Sequence, residues 1–193
     1  MWFRCLAPPI FWLSLGLVLL SGCASLGPAN LPAGITLTPG TYISKAYRAP
    51  DFDPVKAGYV LKPFNLVKAK GIDPAVFKPI FAAELAKAWG DNGLQLSPKK
   101  DALIVSGTIQ LVRVRGGHFR LVLGQIYSIL VVSGTVRRGD QVLFAFQDYV
   151  DLSSPILPGK AAPKEKELLL RQVCKEFAHH LLNELLLQGK PAG

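Results

Sequence analysis

Past an apolar block near its start, the chain switches between two hydrophobic periods. Tyr59-Val60-Leu61-Lys62-Pro63-Phe64-Asn65-Leu66-Val67 reads as a first strand. Pro63 cannot donate a ladder hydrogen bond, so that strand belongs at an edge or carries a bulge. Asp73-Pro74 then forms an N-cap and first-turn pair. Phe77, Phe81, Leu85, Ala88 and Trp89 line one face of a helix ending near Gly90 or Gly93. Pro79 should kink this helix or mark its true start. From Ala102 to about Val114 the period is two: Leu103, Val105, Ile109 and Leu111 share one face, and Ser106, Thr108 and Gln110 the other. A glycine-rich connection, Arg115-Gly116-Gly117-His118-Phe119-Arg120, leads to a hairpin. Its strands run from about Ile126 to Val136 and from Val142 to Val150, around the turn Arg137-Arg138-Gly139-Asp140, with Val142, Phe144 and Phe146 on one face. Val-Ser-Gly-Thr occurs at 105–108 and again at 132–135, and each glycine is expected where a side chain or helix crosses closely over the sheet.

A Pro/Gly-rich loop precedes a long helix from about Pro163 to Gln188, closed by Gly189. Leu170, Val173, Cys174, Phe177, Ala178, Leu181, Leu182 and Leu185 form its apolar stripe, and Glu167 and Arg171 make an i,i+4 pair on its polar side. The order is strand, helix, three strands, helix. Two amphipathic helices need one sheet face to cover, so the expectation is an α+β two-layer sandwich with a mixed sheet and both helices on one face. It occupies residues 58–188, followed by a tail at 189–193.

The N-terminal block is a different object. Met1-Trp2-Phe3-Arg4 carries one positive charge, and an apolar run follows that ends at Leu20-Ser21-Gly22-Cys23. This has the layout of a secretory signal peptide. Pro8-Pro9 interrupts the run, leaving Ile10–Leu20, short of the roughly 20 apolar residues of a spanning helix. Leu-Ser-Gly-Cys resembles the bacterial lipobox. In lipoproteins that carry it, the cysteine thiol receives a diacylglycerol, the chain is cut before that cysteine, and the new amine is acylated. The resemblance implies cleavage between Gly22 and Cys23, with residues 1–22 as signal peptide and Cys23 as the lipidated first residue. Two or more acyl chains anchor stably without a spanning helix. Ala24 stands where Asp marks inner-membrane retention in enterobacterial lipoproteins, which points to the outer membrane. Residues 23–57 are then a lipidated N-terminus and tether. The stretch 24–40 is rich in Pro, Gly and Ala, and Thr41 to about Ala57 is semi-extended with no pattern that assigns it.

Composition adds function classes to exclude. The 193 residues are 50% hydrophobic and 18% charged, which rules out a disordered chain. Cys5 would leave with the signal and Cys23 would be blocked, so Cys174 would be the only free thiol, read as a small buried hydrophobe on a helix face. The three histidines, His118, His179 and His180, form no metal motif. Glu176, His180 and Glu184 share a helical stripe, but a solvated face is the favoured reading. No nucleophile motif, phosphate loop or Cys-x-x-Cys is present. The chain is therefore expected to be no enzyme and to need no cofactor or metal. Lys and Arg number 22 against 13 Asp and Glu, a formal net charge of +9. In an envelope protein this points to anionic lipid, lipopolysaccharide phosphates or an acidic partner, not nucleic acid. Arg113, Arg115 and Arg120, around the glycine-rich loop, and Arg137 and Arg138, at the hairpin tip, are the candidate anion-binding residues.

The element order behind the lipobox resembles an α+β module of envelope proteins, among them the N-terminal domain of the Tol-system propeller protein, the curli-secretion lipoprotein and the lipopolysaccharide-assembly lipoprotein. It is also similar to a family of uncharacterised bacterial lipoproteins. The likeness rests on Leu61-Lys62-Pro63-Phe64 in the first strand and on Gly117-His118-Phe119-Arg120-Leu121-Val122-Leu123-Gly124 in the basic loop. It implies no active site. The expected function is a lipid-anchored, periplasm-facing accessory or scaffold subunit of an envelope assembly, whose edge strand near Lys62–Val67 could accept a partner strand. The alternative is a binding module for lipopolysaccharide or another anionic lipid.

Overall fold

The computed structural model describes residues 31, 34–55, 57–97, 101–115, 125–155 and 163–187. One mixed sheet is covered on one face by two helices. Its strands are β1 (Lys45–Arg48), β2 (Tyr59–Leu61), β3 (Asn65–Leu66), β4 (Ala69–Lys70), β5 (Leu103–Arg115), β6 (Gln125–Arg138) and β7 (Gln141–Pro155), with helices α1 (Pro74–Asp91) and α2 (Pro163–Leu186). The sheet order is β1-β7-β6-β5-β2, and β3 and β4 also pair with β5. β5, β6, β7 and β1 are antiparallel neighbours, whereas β2, β3 and β4 run parallel to β5. A parallel return needs a crossover, and α1 supplies it.

The expected first strand is thus two short pieces, β2 and β3, on the edge of the sheet, and β4 follows them beyond its expected end. Pro63 separates β2 from β3, as a residue without an N–H must. α1 starts at Pro74 and continues through Pro79, with the Asp73 carboxylate accepting from the Ala75 N–H at 2.8 Å. The apolar stripe of α2 is buried throughout, from Leu170 to Leu185. Phe177 sits at the centre of the core, its ring 5.7 Å from Phe81 on α1 and 6.1 Å from Phe146 on β7.

Three expectations need correction. Residues 41–57 are not all tether: β1 pairs with β7, and Ile43, Ala46, Ala49 and Phe52 enter the core. Leu111 does not share the face of Ile109. The register runs from Ile109↔Val132 to Leu111↔Val131, and the extra residue, Gln110, turns Val112 and Val114 into the core instead. Val142 likewise leaves the face of Phe144. Val136 pairs with Phe144 and Arg137 with Val142, so Leu143 is the extra residue and is the one that reaches the core.

The repeated Val-Ser-Gly-Thr has a physical basis. Gly107 and Gly134 are direct cross-strand partners. A Cβ on Gly107 would fall 2.5 Å from Cε1 of Phe64, and one on Gly134 would fall 2.6 Å from Cζ of Phe146. Two aromatic rings lie over the paired glycines, which leave room for them.

Candidate functional site

Of the candidate residues, Gly22, Cys23 and Arg120 lie outside the described residues. The other four arginines do not form one patch. Arg113 pairs with Ile129 and Arg115 with Tyr127 near one end of the sheet, whereas Arg137 pairs with Ile104 near the other. The nine strand positions between Ile104 and Arg113 span about 30 Å. An antiparallel pair places its successive connections at opposite ends, so residues on the two turns are held apart. Arg138 lines a cavity of about 1100 Å³ together with Asp51, Asp53 and Asp101, whose carboxylates oppose anion binding. Arg137 is tied back to its own strand, its Nε donating to Thr135 Oγ1 at 3.2 Å. The hairpin tip is therefore a place of mixed charge.

Arg113 and Arg115 acquire partners that sequence order conceals. β4 pairs with β5 so that Lys70 stands beside Arg113. The positive charges of Lys68 first and Arg113 next, with smaller contributions from burial and Arg115, hold the Lys70 ammonium below its ordinary range. Four cations thus crowd one corner of the sheet. Val112 and Val114 point into the core, so Arg113 and Arg115 emerge on the face away from the helices. The exposed ring of Tyr127 and the half-buried Ile129 are their neighbours there. The Arg113 Nε is buried and has no hydrogen-bond partner among the described residues. Arg115 and Gln125, the described residues on either side of 116–124, both lie at this end of the sheet.

A second polar constellation lies on the helix side. Asp148 is 2% exposed, at an inward position of β7 in line with Phe144 and Phe146. Its Oδ1 accepts from the Ser44 N–H at 3.0 Å and from the Ser44 hydroxyl at 3.1 Å, while Oδ2 lies 3.0 Å from His180 Nδ1. His180 Nε2 in turn lies 3.3 Å from Glu176. Glu184 turns away from this line and accepts the backbone N–H groups of Thr41 and Tyr42, at 2.8 and 2.6 Å. The helical stripe Glu176, His180, Glu184 therefore does not converge. Among the described residues, no group of three or more His, Cys, Asp or Glu could hold a metal ion. The carboxylates serve a structural end, fastening the N-terminal segment and β1 to the domain. The signal for Asp148 was present in the sequence, as a lone acid at an inward position of an alternating strand.

Cys174 is buried, as its helix position indicates, and burial pushes its thiol well above the ordinary range. No helix among the described residues is long and apolar enough to cross a membrane.

No family model and no curated protein matches the chain. Among solved structures it is similar to a minor lipoprotein from Acinetobacter baumannii, with 14% identity and a TM-score of 0.43, over 62% of this chain and 91% of that one. It is also similar to the rare lipoprotein B from Shewanella oneidensis, with 13% identity and a TM-score of 0.40, over 62% of this chain and 91% of that one. These likenesses are distant and carry no statement about activity.

Proposed function

We propose that this chain is a lipid-anchored lipoprotein of the bacterial outer membrane. Its α+β domain faces the periplasm and serves as a non-catalytic accessory or scaffold subunit of an envelope assembly. The observation that carries this reading is Leu20-Ser21-Gly22-Cys23 at the end of an interrupted apolar run. Acyl chains on Cys23 would confine the domain to the membrane surface and raise its effective concentration for partners there. The tether would meet the domain at the β1 edge, where Thr38 already pairs with Ala46. Intact-mass analysis of the protein from its native host tests the anchor: a mature chain starting at Cys23 with added acyl mass is expected, and an unmodified thiol would refute it. Crosslinking and mass spectrometry in native membranes tests the partnership, for which a reproducible envelope partner is expected.

A second reading is favoured by the crowding around Lys70: the corner formed by Lys68, Lys70, Arg113 and Arg115 recognises the phosphates of lipopolysaccharide or another anionic lipid. Like charges held together in a fold repel, and an anion relieves that repulsion. Binding to lipopolysaccharide vesicles should then weaken with added salt and fall in the quadruple Gln variant. Arg137→Gln with Arg138→Gln should leave it unchanged. Equal losses in both variants would reduce the corner to general surface charge.

A further inference from the structure

A groove of about 530 Å³ runs between the β2 edge and α1, on the helix side of the sheet. Its size lies within the usual range of small-ligand pockets, about 300–1,000 Å³. β2 and α1 run in opposite directions, since the Tyr59 ring meets Trp89 at 5.8 Å while the Phe64 ring meets Phe81 at 5.2 Å. The two ends of the groove therefore differ chemically. At the Phe64 end stand the exposed Lys62 and Lys78; at the Tyr59 end the described lining is Ala86, Ser97 and Leu96, the last 48% exposed. Lys78, Ala82 and Ala86 follow one another at one-turn spacing, so the groove tracks α1 for roughly two turns, about 12 Å. The small side chains of Ala82 and Ala86 leave the furrow open over its aromatic floor.

We infer that this groove binds a long-chain fatty acid, with the tail along Ala82 and Ala86 toward Leu96 and the carboxylate between Lys62 and Lys78. Among the described residues, cations at one end and a mainly apolar run toward the other match a ligand with one charged head and one tail. An added peptide strand fits less well. β2 is three residues long, and Pro63 beyond it donates nothing. The outward groups of Tyr59 are already taken, its N–H donating to Gln95 O at 2.8 Å and its carbonyl accepting from the Ser97 N–H at 2.9 Å. The site is separate from the basic corner, which opens on the opposite face of the sheet.

Photolabelling of the full chain in non-ionic detergent tests the assignment, using palmitate bearing a diazirine and, in parallel, the neutral diazirine-bearing alcohol of equal length. Palmitate adducts should concentrate on peptides spanning Ala82 to Leu96. They should fall by about tenfold in Ala82→Trp, which fills the furrow, equivalent to about 1.4 kcal/mol of binding. Lys62→Glu with Lys78→Glu should lower palmitate labelling severalfold and leave the neutral probe unaffected. Leu96→Glu provides a second block should Ala82→Trp fail to fold, as judged by its circular dichroism melt. The proposal is overturned by adducts elsewhere on the chain, by undiminished labelling in both blocked variants, or by equal labelling with the neutral probe. Displacement by lysophosphatidylglycerol but not by unlabelled palmitate would also overturn it.

Discussion

The two edges of the sheet both bury apolar side chains but differ in what fastens them further. At the β1 edge the fastenings are polar: Asp148 holds Ser44, Glu184 holds Thr41 and Tyr42, and Arg48 Nη2 donates to the Glu184 carbonyl at 2.8 Å. At the β2 edge they are aromatic. Tyr59 packs on Trp89 and Phe64 on Phe81, and Trp89 Nε1 is buried with no partner among the described residues. A strand with little hydrophobic pattern of its own can be fixed by buried carboxylates that find backbone donors. An edge broken by a proline keeps only short runs of ladder bonds, and ring packing adds to them.

The sharpest way to break the contrast is Phe81→Ala, which removes the ring shared by Phe64, Phe77 and Phe177. It should cost about 3–5 kcal/mol, read from the urea midpoint. Asp148→Ala should cost less, about 1–3 kcal/mol, because the Ser44 donors are stranded beside a buried site. Its effect should be local, with faster amide exchange at Lys45–Arg48 and unchanged exchange at Tyr59–Leu61. Equal acceleration at both edges would mean that the two fastenings do not act separately. Gly107→Ala belongs to the β2 side and should cost about 1–3 kcal/mol, since its Cβ meets the Phe64 ring and the Ser133 carbonyl.

Alkaline pH separates the edges more gently. Burial raises the Tyr59 phenol above its ordinary range, and its hydroxyl donates to Pro54 O at 2.7 Å. The unfolded chain releases that proton above about pH 10 while the folded chain retains it, so stability should fall as pH rises beyond that point. Cys174 acts in the same direction from about pH 8.5. Tyr59→Phe and Cys174→Ala should each flatten part of the decline in denaturation midpoint between pH 8 and 11. The smallest effect belongs to the exposed Arg171, which bridges Glu167 at 3.0 Å and Glu84 at 3.4 Å. Arg171→Ala should leave the midpoint nearly unmoved.

Much of this was legible from local pattern. The three-and-four spacing from Leu170 to Leu185 reports a buried face because a helix repeats every 3.6 residues, whatever it packs against. Pro63 announces an edge for an equally local reason. The glycines of Val-Ser-Gly-Thr pointed to close approach, though not to their pairing with each other. The bulges at Gln110 and Leu143 were invisible, since an extra residue is defined only against the strand opposite. The two arginine groups were legible from their places in the chain, but the lysines that join Arg113 and Arg115 were not, since β4 reaches β5 only through the sheet register.

The chain alone thus determined its helices, its three long strands and the α+β class, all of which follow from periods a few residues long. Tertiary structure alone decided which cations stand together, which edge carries an apolar groove, and that the segment before Arg48 belongs to the sheet. Those outcomes depend on pairs such as Ser44 with Asp148 and Lys70 with Arg113. Such pairs lie far apart along the chain, and no periodicity encodes their meeting; it exists only once the sheet has chosen its register.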